Sequence, residues 1–121
     1  MSWNIKKFEE LTNSELYNLL KERTLVFVVE QNCPYLEVDG KDPFSYHLFK
    51  EEEGEIVAYL RVVPAGVSYQ EASIGRVFVK KEYRGQGIAG ELLSRGLNYI
   101  QNELKETNVK IQAQDYLRKF Y

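Results

Sequence analysis

Residues 55–63, Glu-Ile-Val-Ala-Tyr-Leu-Arg-Val-Val, constrain the fold more than any other stretch of the chain. Successive side chains of a strand point to opposite faces. Ile56, Ala58, Leu60 and Val62 make one face apolar, and Val57, Tyr59 and Val63 make the other largely apolar too. Such a strand belongs in a sheet covered on both sides. That excludes a helical bundle and requires helices and strands in one layered domain. With 121 residues there is room for one core, so residues 1–121 are read as one domain.

The other elements fall into place around that strand. Thr12-Asn13-Ser14-Glu15 has the form of a capping box, with Leu11 and Leu16 at the positions of a hydrophobic staple. Leu16, Leu19, Leu20 and Phe27 continue an i, i+3, i+4 stripe, which predicts an amphipathic helix over 13–29. Residues 31–44 hold the turn clusters Asn32-Cys33-Pro34 and Asp39-Gly40-Lys41-Asp42-Pro43, and read as an ordered loop with aromatic and acidic residues. Strands are expected at 46–50, 55–63 and 74–80, the first two joined by the acidic turn Glu51-Glu52-Glu53-Gly54. A second helix starts near Gly87, with Ile88, Leu92, Leu93, Leu97, Ile100 and Leu104 as its buried stripe. A fourth strand over 109–113 and a short helical stretch to Tyr121 complete the order α, β, β, β, α, β, α, a mixed α/β (α+β) arrangement.

Composition narrows the function classes. Sixteen Lys and Arg against eighteen Asp and Glu give a net charge of −2, against broad binding to nucleic acid or an anionic membrane. One Cys excludes an intrachain disulfide framework, and one His argues against a His-rich metal site. No run reaches the roughly 18 apolar residues that span a bilayer. The N-terminal residues lack the apolar run of a signal peptide, so the cytoplasm is the expected compartment.

The chemistry is concentrated in Val77-Phe78-Val79-Lys80-Lys81-Glu82-Tyr83-Arg84-Gly85-Gln86-Gly87-Ile88-Ala89-Gly90. A β-branched strand runs through a charged turn into a Gly-rich loop that opens a helix. Unpaired N–H groups and the positive dipole end make a helix N-terminus a phosphate site. Glycines at 85, 87 and 90 let phosphates approach the backbone, and Arg84 adds a fixed positive charge. The Gly-Lys-Ser/Thr ending of a P-loop is absent and the Rossmann glycine spacing is not met. The glycines alone leave phosphate binding and plain turn punctuation equally open.

Arg84-Gly85-Gln86-Gly87-Ile88-Ala89 resembles the Arg/Gln-x-x-Gly-x-Gly/Ala motif of the GCN5-related N-acetyltransferase (GNAT) superfamily. The N-terminal half, including Val26-Phe27-Val28-Val29-Glu30-Gln31-Asn32-Cys33-Pro34-Tyr35, together with Ile74-Gly75-Arg76-Val77, is similar to its ElaA-like subfamily. The resemblance implies the acyl-CoA N-acyltransferase fold, with Arg84, Gly85, Gln86, Gly87, Ile88, Ala89 and Gly90 as the pyrophosphate loop for acetyl-CoA. It also implies that Val77, Phe78 and Val79 bond the pantetheine arm through their backbone. Ala113-Gln114-Asp115-Tyr116-Leu117-Arg118-Lys119-Phe120-Tyr121 resembles the family's later strand and helix, which puts Tyr121 where many relatives keep the tyrosine that protonates the departing thiolate. Relatives continue beyond this point through two further strands, so the resemblance implies a fold lacking the last strands. The strand at 109–113 would then present an edge to another chain, such as a second copy in a homodimer.

Single residues carry less. Cys33 reads as a small loop side chain rather than a nucleophile, and His47 as a satisfied structural histidine rather than a base. Glu30, Glu37, Asp39 and Asp42 form either an acidic acceptor pocket or a set of solvated loop carboxylates. Glu30, directly after the apolar run Val26–Val29, is the candidate general base, and Arg23 is the expected structural partner of one of these carboxylates. The resemblance thus implies an N-acetyltransferase that moves the acetyl group of acetyl-CoA to an amine of a small molecule or peptide, without a metal. A non-catalytic CoA-binding module and an acyl-homoserine-lactone-synthase-like acyltransferase stand as alternatives.

Overall fold

Seven regular elements make up the computed structural model, which describes residues 2–30, 39–67, 70–106 and 108–111. In chain order they are β1 (Ser2–Lys7), α1 (Asn13–Thr24), β2 (Tyr46–Glu52), β3 (Glu55–Val63), β4 (Ala72–Val79), α2 (Ile88–Asn102) and β5 (Val109–Ile111). A π-helical segment, Leu25–Glu30, continues α1, and short 3-10 turns stand at Phe8–Glu10, Asp42–Phe44 and Lys81–Tyr83. One five-stranded sheet has the order β1-β2-β3-β4-β5. Its first three pairings are antiparallel, and β5 lies parallel to β4 after the α2 crossover.

Helix α1 begins as its capping box dictates. Thr12 N–H donates to Glu15 Oε1 at 2.9 Å and Glu15 N–H to Thr12 Oγ1 at 3.1 Å. Lys6 Nζ, reaching from β1, also meets Glu15 at 2.9 Å. The α-helix ends at Thr24 rather than running to 29, because Leu25–Glu30 takes the wider π turn. β1 is an addition to the sequence reading. Trp3 and Ile5 alone carry its alternation, and pairing with β2 from Tyr46 to Glu51 secures it.

The sheet is covered on both faces. On one, Leu48, Leu60, Val62, Ile74, Val77 and Val79 pack with Ile88, Leu92, Leu93 and Ile100 of α2. On the other, Phe49, Ile56, Tyr59 and Phe78 pack with Leu19, Val26 and Phe27. Two bulges correct the simple alternation. Lys50 pairs with Ala58 but Glu51 with Ile56, so Val57 is an extra residue and Ile56 turns to the face of Tyr59. In β4, Phe78 pairs with Tyr59 and Gly75 with Arg61, so two residues, Arg76 and Val77, face Leu60 alone. The second bulge brings Val77 and Val79 onto the α2 face.

The β2–β3 hairpin closes on Glu53 and Gly54, with φ of 50° and 80°, so β2 extends to Glu52 and only two residues form the turn. Of the predicted α2 stripe, Leu97 is 38% exposed, and Leu104 lies beyond the helix end but packs against the core. No helix among the described residues is long and apolar enough to cross a membrane. The strand end and helical stretch expected over 112–121, Tyr121 included, and the loop residues Cys33, Tyr35 and Glu37 lie outside the described residues.

Gly96 of α2 lies tight against the sheet. A Cβ there would stand 3.0 Å and 3.3 Å from the two Leu60 methyls and 3.5 Å from Ile74 Cδ1. Gly96→Val is expected to destabilise the fold by about 1–3 kcal/mol through overpacking, read as a lower urea midpoint with an unchanged slope.

Candidate active site

The segment 77–90 forms a strand, a turn and the start of a helix, as its sequence requires. Val77, Phe78 and Val79 are buried at the end of β4. β5 pairs with Ala72, Ser73 and Ile74, so among the described residues its register stops short of the β4 bulge. The β4 backbone of Val77, Phe78 and Val79, which the family resemblance gives to the pantetheine arm, lies beyond that paired stretch. After the 3-10 turn Lys81–Tyr83, the chain passes Gly85 and Gly87 at φ of 84° and 80°, a left-handed conformation that side chains resist. Gly87 is the N-cap of α2, and no side chain caps it. The first N–H groups of a 15-residue helix thus open onto the loop. A Cβ placed on Gly85, Gly87 or Gly90 would meet nothing within 4 Å.

Arg84 ties this loop to the strand before it and to the N-terminal helical segment. Its Nε donates to the Val79 carbonyl at 2.8 Å, and its Nη2 donates to Glu30 Oε1 at 2.8 Å. Glu30, the candidate base, is thus engaged with the glycine loop and lies exposed. Sequence reasoning gave no weight to Glu22, which is 3% exposed near the same junction. Its Oε2 lies 3.6 Å from Lys80 Nζ, which also reaches Glu55 at 3.1 Å, while Oε1 has no hydrogen-bond partner.

Asp39 and Asp42 form no open acidic pocket. Asp42 Oδ1 accepts from Arg23 Nη1 at 2.8 Å and from Arg61 Nη1 at 3.0 Å, with Arg23 fully buried. Asp39 takes both Nη groups of Arg61, at 3.0 Å and 2.9 Å, and Arg76 Nη2 at 3.3 Å. Burial alone would raise the Asp39 carboxyl, but the Arg61 bonds, the Lys41 N–H and the charges of Arg61 and Arg76 outweigh it and hold it at about 2. Asp42 is likewise raised by burial and brought below the usual carboxylate range by Arg23 and Arg61. The expected pairing of Arg23 with a loop carboxylate is present, and Arg61 is the member that sequence spacing did not mark. Arg76 occupies the β4 bulge at φ 53°, directly before Val77.

His47 is structural. Its Nε2–H donates to the Asp42 carbonyl at 3.0 Å, which leaves Nδ1 to accept from the Tyr59 hydroxyl at 2.7 Å. Burial pushes the imidazole below its ordinary value and the Tyr59 phenol above its own. Rings of His47, Tyr59 and Phe78 stack across β2, β3 and β4 at 5.9 Å and 5.7 Å, and Phe27 meets Phe78 edge-on at 6.3 Å. Among the described residues no cluster of three or more His, Cys, Asp or Glu side chains is placed to hold a metal ion.

This network sets an acid limit on stability. His47 is neutral when folded and binds a proton more readily when unfolded, so stability falls as pH drops below the ordinary imidazole value of 6.5. Asp39 and Asp42 stabilise the fold above their unfolded values near 3.8, and that part is lost as pH falls toward 2. Urea midpoints measured from pH 8 to 2 should fall in those two windows. Asp42→Asn leaves the Arg23 guanidinium buried without its counter-charge and should cost about 3–5 kcal/mol at pH 7 in the same assay.

Comparison with known proteins agrees with this geometry. The model of the acetyltransferase (GNAT) family matches residues 8–121. Protein ElaA of Escherichia coli strain K12 is 36% identical over 123 residues, covering 100% of this chain and 80% of its own length. The crystal structure of Escherichia coli ElaA superposes with a TM-score of 0.90, covering 100% of this chain and 83% of that one. An acyl-CoA N-acyltransferase from Pseudomonas aeruginosa superposes at 0.91 with 40% identity, covering 99% and 84%. A predicted acetyltransferase from Clostridium acetobutylicum, solved with acetyl-CoA, shares the fold at a TM-score of 0.74 and 17% identity, covering 99% and 85%. With the glycine loop at the mouth of α2 and the parallel β4–β5 pair beside it, the chain belongs to the acetyltransferase (GNAT) family, alongside ElaA.

Proposed function

We propose that the protein is an N-acetyltransferase that takes the acetyl group from acetyl-CoA and passes it to the amine of a small molecule or peptide. The observation that carries this reading is the uncapped α2 N-terminus behind three glycines whose Cβ positions face open space. That clearance suits a diphosphate lying against the backbone, and the Arg84 guanidinium adds its positive charge. The structural neighbour from Clostridium acetobutylicum, solved with acetyl-CoA, supports the donor assignment.

In this reading the pantetheine arm runs along the backbone of Val77, Phe78 and Val79. A backbone N–H of that stretch polarises the thioester carbonyl and stabilises the oxyanion formed when the amine nitrogen attacks it. Collapse of the tetrahedral intermediate breaks the carbon–sulfur bond, and the Tyr121 phenol gives its proton to the departing thiolate. A phenol of pKa about 10 can serve a thiolate of about 8.5 when the two are held together. The proton lost by the attacking nitrogen goes to a base, for which Glu30 is the candidate, acting directly or through water.

Calorimetric titration with acetyl-CoA, desulfo-CoA and ATP tests the donor site. Both CoA forms should bind and ATP should bind much more weakly. Gly87→Glu puts a carboxylate and a strained left-handed residue at the loop and should abolish CoA binding; retained affinity would count against the assigned loop. Tyr121→Phe should lower kcat roughly a hundredfold with an acceptor amine while leaving acetyl-CoA affinity unchanged. CoA binding without turnover over a broad amine panel would favour a non-catalytic CoA-binding domain instead.

A further inference from the structure

The contact between Glu30 and Arg84 joins residues 54 positions apart and brings the end of the π-helical segment to the glycine loop. Arg84 is held from two sides, by the Val79 carbonyl on its Nε and by the Glu30 carboxylate on its Nη2, each at 2.8 Å. The Val79 bond fixes the guanidinium at the point where strand passes into loop. The Glu30 bond places an anion on the same guanidinium that a diphosphate on this loop would approach. Both side chains are accessible, at 28% and 36%, so the pair is a surface ion pair of small net worth. A guanidinium binds a phosphate oxygen pair through two parallel N–H bonds, and one carboxylate contact of this kind gives way to it at little cost. Lys80, directly after β4, is already held between Glu22 and Glu55.

We propose that Glu30 is an internal competitor for Arg84: its carboxylate occupies the guanidinium in the donor-free protein and yields it to the diphosphate of the acyl-CoA donor. The inference rests on the donor site assigned above. It makes Glu30 a residue that tunes donor affinity, and it makes release of the Glu30 carboxylate a consequence of donor binding. A base at this position is then freed only in the donor complex.

Calorimetry on the wild-type protein and Glu30→Gln, with acetyl-CoA, 3′-dephospho-CoA and pantetheine as ligands, tests this directly. Glu30→Gln should bind the two diphosphate-bearing ligands roughly two- to fivefold more tightly, the range a surface ion pair supports. Pantetheine, which lacks the diphosphate, should bind both proteins equally. The gain should vanish in an Arg84→Ala background, which separates competition for the guanidinium from a general change in charge. A Glu30 that merely braces the loop predicts weaker binding in Glu30→Gln. Weaker or unchanged affinity, an equal gain for pantetheine, or a gain that survives Arg84→Ala each overturns the proposal. Failure of the wild-type protein to bind any diphosphate-bearing ligand overturns the donor site itself, and this inference with it.

Discussion

Burial of the Arg23–Asp42 pair between α1 and the sheet is the interaction on which the rest of the arrangement depends. A guanidinium with no solvent access tolerates burial only beside a carboxylate. Asp42 supplies that charge to Arg23 and to Arg61 of β3 at once. The backbone carbonyl of the same residue takes the Nε2–H of His47, so one position ties the helix, the 3-10 turn and two strands together. Asp39, three residues earlier, extends the set to Arg76 in the β4 bulge. Strand β4 therefore receives its neighbours through charge on one side of the bulge and through apolar packing, Val77 and Val79 against α2, on the other.

That division places the site. The bulge absorbs one residue, and β5 pairs with β4 only over 72–74 before it. Beyond the bulge, the backbone of 77–79 leads directly to the turn and to the α2 N-terminus. Arg84 closes the corner by bonding the Val79 carbonyl, so the strand end and the glycine loop move as one piece. A ligand long enough to lie along the strand and reach the helix end meets both surfaces in fixed relation. In the proposed donor complex, such pre-organisation would reduce the cost of ordering the flexible pantetheine arm.

The sequence made the covered sheet and the glycine loop legible because each rests on local rules. Two apolar faces in residues 55–63 require layers on both sides, and Gly85 and Gly87 take φ values that favour glycine. The capping box at Thr12 is equally local. What escaped reading depends on contacts distant in sequence. β1 has only Trp3 and Ile5 to announce it, and its strand character comes from β2. The bulges at Val57 and Arg76 reverse the facing of Ile56 and Val77, which no alternation count anticipates. Arg61, the single charge among residues 56–63, finds its partner Asp39 22 residues back, a distance that no local spacing encodes. Glu30 was singled out for its apolar neighbours, whereas its position is set by the π turn and by Arg84.

The glycines themselves separate ligand clearance from packing. Gly96 lies against Leu60 and Ile74, and its missing side chain is explained by the closeness of helix and sheet. Gly85 and Gly87 are explained by backbone conformation, whatever surrounds them. Gly90 has neither reason: it sits in the first turn of α2 without a positive φ, and a Cβ there would face open space. A helix interior disfavours glycine by about 1 kcal/mol relative to alanine, so a glycine at this position lowers stability without relieving strain or crowding. Under the proposed donor assignment that glycine has a purpose, because a bare first turn leaves the approach to the helix N-terminus open for a diphosphate on the loop.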